Sequence, residues 1–352
     1  MKRPTIRDIA EHAGVSKGAV SFALNNRPGV SPQTRDRILA YADALGWYPN
    51  SAARALSAAR SDLVGLVLAR KPSVMSAESF FMELISGIEG ELGPSEMGLV
   101  LKVVGEDPDR ELAVYRQWSG QRRVDGVILV DIRVHDPRPA ACEKAGLPAL
   151  VLGRRTGDHR LPCLSVGIGA AMRAAVAHLA QFGHRRIARV AGPPAMVHTR
   201  DRDRAFRAAA RRHGIESTMR ARTDYTAEQG EQATRSLLTA PDRPTAIVYD
   251  NDLMAVRGVA VARELGLDVP GDLSVIAWED SVLCRLMSPA MTSLRLDVAA
   301  YGATAAAMLT RLVAGDVVDD VAFPAPELVP RASTGQAPEG GDRARAGEAR
   351  PG

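Results

Sequence analysis

Cysteine is scarce in this chain and long apolar runs are missing from it. Three cysteines in 352 residues, Cys142, Cys163 and Cys284, are an odd number without metal-ligand spacing. That pattern argues against a disulfide framework, and the three read as reduced packing residues. No segment reaches the roughly 18 uninterrupted apolar residues of a membrane span. The opening "MKRPTIRDIAEHAGVS" has basic residues but no apolar h-region, so a cytoplasmic protein without membrane contact is expected. Catalytic signatures are missing too: there is no G-x-S-x-G, no P-loop, no H-E-x-x-H and no pairing of metal ligands. His184, in "GHRR", has no candidate nucleophile near it and reads as a turn residue. Neither an enzyme nor a cofactor is expected.

What is present is a globular chain with a lopsided charge. Hydrophobic residues make up 46% of the sequence, and the length suffices for two or three domains with their own cores. Residues 1–60 hold nine basic and four acidic side chains, a local charge of +5, whereas the whole chain carries +4. The basic excess therefore belongs to the N-terminal segment and suggests a polyanion partner for it.

That segment reads as three short helices. Thr5 and Asp8 form a T-x-x-D capping box ahead of the apolar stripe Ile6, Ile9, Ala10 and Ala13, which ends at Gly14. Ser16 is the next N-cap, before the stripe Ala19, Val20, Ala23 and Leu24. After "RPGVSP", Ser31 and Pro32 start a third helix with Ile38, Leu39, Ala42 and Leu45 inward, stopping at Gly46. Two helices joined by a tight glycine turn make a helix-turn-helix unit, whose second helix enters a DNA major groove by its N-terminal part. Packing leaves Lys17, Gly18, Ser21, Phe22 and Asn25 on the outer faces of that helix.

Residues 5–56, with "TIRDIAEHAGVS", "VSFALN", "VSPQTR" and "YPNSAARAL", resemble the DNA-binding segment of the LacI/GalR (lactose/galactose repressor) family. The resemblance implies base reading by Lys17, Gly18 and Phe22, and contacts to the DNA backbone by Thr5, Ser16, Ser21, Asn25 and Thr34. It makes residues 49–60 a hinge helix in which Leu56 is an apolar wedge for the minor groove, flanked by Asn50, Ala53 and Arg54. The helix-turn-helix domain is then residues 1–48.

From residue 62 onward, apolar runs such as "DGVILV" (125–130), "TAIVYDN" (245–251) and "LSVIAWED" (273–280) alternate with helical stretches at 168–183, 200–213, 252–266 and 298–314. The alternation predicts an α/β core of two doubly wound parallel-sheet lobes, with ligands beyond the carboxyl ends of the strands. "GHRRIARVAGP" (183–193), "RDRAFRAA" (202–209) and "PTAIVYDNDLMAVRGVAVARELGLDVPGDLSVIAWED" (244–280) resemble the same family's core, which is similar to a periplasmic sugar-binding protein. The resemblance implies a small polar effector, such as a sugar, between lobes of about 61–162 plus 292–325 and about 163–291. Its contacts would be Phe80, Arg202, Asn251 and Glu279. The stretch "VGI" (166–168) replaces the family's usual V-D-N, Glu279 replaces a commoner Asp, and "SVMSAESFF" replaces N-P-F-F, departures that weaken the tie to a sugar.

Residues 336–352, "QAPEGGDRARAGEARPG", offer nothing bulky to bury and are expected to be disordered. They also lack an apolar heptad that would join dimers into tetramers. One short reading helix contacts few bases, so a homodimer on a pseudo-palindromic operator is expected. The leading reading is a ligand-responsive transcriptional regulator, a repressor by resemblance. The core alone would also serve a small-solute binding protein without a regulatory role; residues 1–60 count against that alternative.

Overall fold

The computed structural model describes residues 4–24, 27–47, 60–70, 78–95 and 97–339. The chain divides into two units, residues 1–62 and 63–352.

The first unit is helical. Helix α1 (Ile6–Ala13) starts at the expected capping box: the Asp8 amide donates to the Thr5 hydroxyl at 3.4 Å, and the Thr5 amide donates to the Asp8 carboxylate at 2.7 Å. It stops at Gly14, whose φ of +63° suits a residue without a Cβ. Ser16 then accepts the Ala19 amide at 3.1 Å and so opens α2 (Lys17–Leu24). Helix α3 (Pro32–Ala44) begins with Ser31 as cap and a proline at its start. Ile9, Ala10, Ala13, Val20, Ala23, Ile38 and Ala42 form one buried cluster. Ile6 and Leu39, placed on the inner stripes by spacing alone, stay 39% and 44% exposed. A unit this small has too little interior to enclose every apolar residue of its helices.

The second unit holds two six-stranded sheets. The first contains β1 (Leu63–Leu68), β2 (Gly98–Val103), β3 (Gly126–Leu129), β4 (Ala149–Leu152), β5 (Cys163–Val166) and β11 (Val321–Phe323), in the order β11-β5-β4-β3-β1-β2. Around it lie α4 (Ser79–Leu92), α5 (Pro108–Gly120), α6 (Arg138–Ala145) and α12 (Val298–Ala314). The second contains β6 (Arg186–Ala191), β7 (Ser217–Arg222), β8 (Ala246–Tyr249), β9 (Ser274–Trp278), β10 (Thr292–Arg295) and β12 (Glu327–Val329), in the order β12-β10-β9-β8-β6-β7. Its helices are α7 (Ile168–Gln181), α8 (Val197–Arg212), α9 (Ala227–Leu238), α10 (Asp252–Glu264) and the short α11 (Val282–Leu286). All strand pairs are parallel except β10 with β12. Strands such as β3 (GVIL), β4 (ALVL) and β9 (SVIAW) are wholly buried, as parallel strands covered on both faces must be.

The lobe boundaries differ from those expected. β5 lies in the first sheet although residues 163–166 were assigned to the second lobe, and β10 lies in the second sheet although residues 292–295 were assigned to the first. The chain crosses between lobes after β5, after β10 and after β11, and the later strands β11 and β12 each add to the outer side of β5 and β10. An apolar run marks a strand but carries no sign of its sheet. The start of the expected disordered tail also differs. The Ala337 amide donates to the Phe182 carbonyl at 2.8 Å, a backbone pairing that needs no bulky side chain. Residues 340–352 lie outside the described residues.

His184 is a core residue, not a turn residue. Its ring is fully buried and pairs with the Thr245 hydroxyl at 2.8 Å, the Ser274 hydroxyl at 2.9 Å and the Gly335 carbonyl at 3.1 Å. Glycine at 183 supplies the tight turn that the sequence suggested, and the histidine then points inward. Burial pushes its pKa down to about 4. His198 is lowered to about 4 as well, by burial and by Arg202. The unfolded chain therefore binds more protons than the folded one between the ordinary histidine value and about 4. The stability these groups contribute is complete above that ordinary value and is lost as the pH falls through the interval. We expect the unfolding midpoint to fall between pH 7 and about pH 4, and His184→Gln to flatten that dependence; scanning calorimetry across the interval checks it.

Candidate functional site

Between the two lobes lies a cleft of about 700 Å³, within the range of small-ligand sites. Its polar lining comes from the carboxyl ends of the strands: Arg70 after β1, Asp131 after β3, Arg154 after β4, Tyr225 after β7, Asp250 and Asn251 after β8, and Glu279 after β9. This is where an open parallel sheet leaves backbone groups and side chains free of the ladder. Asp131, Tyr225 and Glu279 have φ of +52°, +71° and +79°. A residue with a Cβ held there carries strain of roughly 1–3 kcal/mol, and such strain concentrates at working sites.

Arg202 stacks on Trp278, its guanidinium 3.8 Å from the ring centroid, and donates to the Asp250 carbonyl at 2.9 Å. The Asp250 carboxylate is fully buried and accepts from Arg189 Nε at 2.9 Å, Arg189 Nη2 at 2.5 Å and the Gly192 amide at 3.0 Å. Burial opposes its charge, yet Arg189 and Arg202 together hold its pKa below the usual carboxylate range. Arg70 pairs with Asp131 at 2.9 Å and lies over the ring of Tyr225, which belongs to the other lobe, at 5.0 Å. Burial raises the Glu78 carboxyl to about 7 and pushes Glu279 well above the ordinary value, with Asp252 and Glu78 adding to the latter shift. Burial thus favours the neutral form of Glu279, which can donate as well as accept.

Further contacts join the lobes beside the cleft. The Val134 amide donates to the Ala195 carbonyl at 2.9 Å, the Val197 amide to the Ile132 carbonyl at 2.9 Å, and Arg154 pairs with Asp201 at 2.7 Å.

All four effector residues expected from the sequence line this one cleft. Phe80 is half-buried, edge-on to the buried Phe81 at 5.3 Å. Asn251 caps α10, accepting the Met254 amide at 3.0 Å, and donates to the Tyr225 carbonyl at 3.1 Å. Arg202 leaves the solvated run "TRDRDR" because helix period turns it inward with Thr199 and Phe206. Gly167 and Ile168 form an apolar wall with Val166. Sequence reasoning missed Arg70, Glu78, Asp131, His198, Tyr225 and Trp278. For Arg70 and Asp131 a signal existed, since each is the first charged residue after an apolar strand.

In the helical unit, Ser16, Lys17 and Gly18 are exposed and Ser21 is half-exposed. Phe22 is 41% exposed, with its ring edge lying on Gly29. Thr34 is at the start of α3 and receives the Ser31 hydroxyl at 2.9 Å. Thr5 is occupied by its capping box. Asn25, Asn50, Ala53, Arg54 and Leu56 lie outside the described residues.

The profile of bacterial regulatory proteins of the lacI family matches residues 5–50, and that of the periplasmic binding protein-like domain matches residues 176–334. The HTH-type transcriptional regulator CelR of Thermobifida fusca is 32% identical over 325 residues, covering 91% of this chain and 95% of its own. The chain belongs to the LacI family. Two solved structures extend the likeness. The lac repressor dimer bound to operator and the anti-inducer ONPF is 28% identical with a TM-score of 0.83, over 95% of this chain and 100% of that one. The CelR–cellobiose complex is 30% identical with a TM-score of 0.72, over 94% and 100%. As a LacI-family member the protein is a DNA-binding transcriptional regulator, and its relatives are regulators rather than enzymes. Among the described residues no helix is long and apolar enough to cross a membrane.

Proposed function

We propose that this regulator binds a pseudo-palindromic operator as a homodimer and represses transcription in the cytoplasm, under control of a small polyhydroxy effector in the interlobe cleft. The observation that carries the reading is that α2, the second helix of the helix-turn-helix, leaves Lys17, Gly18 and Phe22 outward while Val20 and Ala23 anchor it. In the major groove Lys17 donates to guanine acceptors, Gly18 allows close approach, and Phe22 touches apolar groups such as a thymine methyl. Thr5, Ser16, Ser21, Asn25 and Thr34 face phosphates, and the N-terminal dipole of α2 adds to their hold. Asn50, Ala53, Arg54 and Leu56 serve the hinge, with Leu56 as the minor-groove wedge. The operator-bound lac repressor dimer supports the DNA side of this reading.

In the cleft, Phe80 offers an aromatic face, Arg202 and Asn251 offer hydrogen bonds, and Glu279 holds a hydroxyl. The cellobiose complex of CelR supports a sugar-like occupant. An effector acts by changing the lobe contacts at Val134, Val197 and Arg154, and through them DNA affinity; such coupling is typically about 1–3 kcal/mol.

Purified protein is expected to retard a palindromic duplex from upstream of its own gene. A dimer neutralising about 6–10 phosphates loses roughly 10³–10⁵ in affinity between about 50 and 200 mM salt. Folded protein that shows no preference for such a duplex over random DNA of equal length, at any salt, rejects the operator reading.

A further inference from the structure

We propose that the effector is an anionic polyol, a polyhydroxy compound bearing one carboxylate or phosphate, and that Arg173 at the start of α7 receives the anionic group. This rests on the cleft being the effector site and goes on to specify the chemistry of its occupant.

Five arginines line the cleft: Arg70, Arg154, Arg173, Arg202 and Arg204. The lining aspartates are already committed. Asp131 is taken by Arg70 at 2.9 Å, and Asp201 is shared by Arg154 at 2.7 Å and Arg204 at 3.9 Å. Asp250 is shared by Arg189 at 2.5 Å and Arg202 at 3.7 Å. The two lining glutamates, Glu78 and Glu279, are both pushed upward by burial, which disfavours their charged forms. Arg173 remains, exposed on the first turns of α7, and among the described residues no carboxylate pairs with it.

The place where Arg173 sits suits an anion. Helix α7 has glycine at its N-cap and no side-chain cap, so its first amides point outward without a side-chain acceptor. Gly169 leaves that turn bare, and the Arg173 guanidinium folds over it: a Cβ at Gly169 would lie 3.3 Å from Arg173 Nη1. The guanidinium and the helix terminus thus share one corner of the cleft.

A second, independent observation comes from the buried arginines. Arg70 and Arg202 are only 7% and 8% exposed, and the Nε of each is buried without a hydrogen-bond partner. Glu279 Oε2 is buried and unpartnered too. Buried polar atoms of this kind call for a partner, and two guanidinium donors call for an oxygen-rich one. A neutral sugar satisfies the Glu279 end but leaves the Arg173 corner with excess positive charge. A carboxylate or phosphate on the same polyol meets a planar guanidinium in bidentate fashion.

The test is calorimetric titration of the full-length protein with matched probes: glucose against glucuronate and glucose 6-phosphate, and cellobiose against cellobionate. We expect at least one anionic probe to bind about tenfold or more tightly than its neutral partner, as a charge-assisted contact implies. Arg173→Gln should abolish that difference, with an unchanged melting temperature to show that the fold is intact. The carboxylate and phosphate arms separate the two sources of charge. Neutral probes that bind as tightly as anionic ones, or a preference that survives Arg173→Gln, overturn this inference and leave the cleft as an effector site. Failure of every probe to bind, neutral or anionic, overturns both.

Discussion

Asp250→Ala is expected to lower the melting temperature of the two-lobed core by roughly 10 °C, since removing one member of a buried ion pair costs about 3–5 kcal/mol and each kcal/mol moves a domain of this size by about 2–4 °C. The reason lies in how much one carboxylate holds. It accepts two hydrogen bonds from Arg189, whose side chain is fully buried, and one from the Gly192 amide, while the Asp250 carbonyl fixes Arg202 against Trp278. Without it Arg189 keeps, among the described residues, only Asp203 as a carboxylate partner, at 2.5 Å on its Nη1. The burial that makes the ionised carboxylate costly is offset by those two arginines, so the loss falls on charges left behind rather than on the aspartate itself. Differential scanning calorimetry of the variant measures it, and a drop of under about 2 °C would show the network to be redundant. Effector response should disappear in the same variant, because the floor of the cleft loses its anchor.

Lys17→Ala is expected to cost about 1–3 kcal/mol in operator affinity, a loss of roughly 5- to 150-fold, with little change on random DNA. Gly18 has no side chain, and Phe22 can offer only apolar contact, so on the proposed operator reading most of the hydrogen-bonding discrimination on α2 falls to Lys17. Phe22→Ala should cost less, because part of the ring already rests on Gly29 and only the remainder is free for a base. Fluorescence anisotropy with operator and scrambled duplexes at one salt concentration separates the cases. Equal loss on both duplexes for Lys17→Ala would make it a phosphate contact and move base reading elsewhere.

The helical unit was legible because its signals are local. Thr5, Gly14, Ser16, Ser31 and Pro32 act within one turn of themselves, and the caps they form need nothing distant. The alternating core was legible for a related reason, since a strand covered on both faces must be a continuous apolar run. Arg202 marks the limit of that approach. The resemblance implies a cleft role for it, whereas its run of alternating charges also fits a solvated face, and helix α8 packed on the sheet turns this one guanidinium inside, onto Trp278. His184 is similar: the turn before it is visible in the sequence, but its three partners lie 61 to 151 residues away.

The sequence by itself determined a helix-turn-helix unit and a pair of parallel-sheet lobes, because caps and apolar periods are written in neighbouring residues, while the family and four residues of the cleft followed from the resemblance of its motifs. Tertiary structure alone decided which sheet takes β5 and β10, which of the arginines lose their water, and which of the carboxyls burial pushes upward. Those outcomes depend on burial and on charges brought together from distant strands, and no short stretch of the chain contains either.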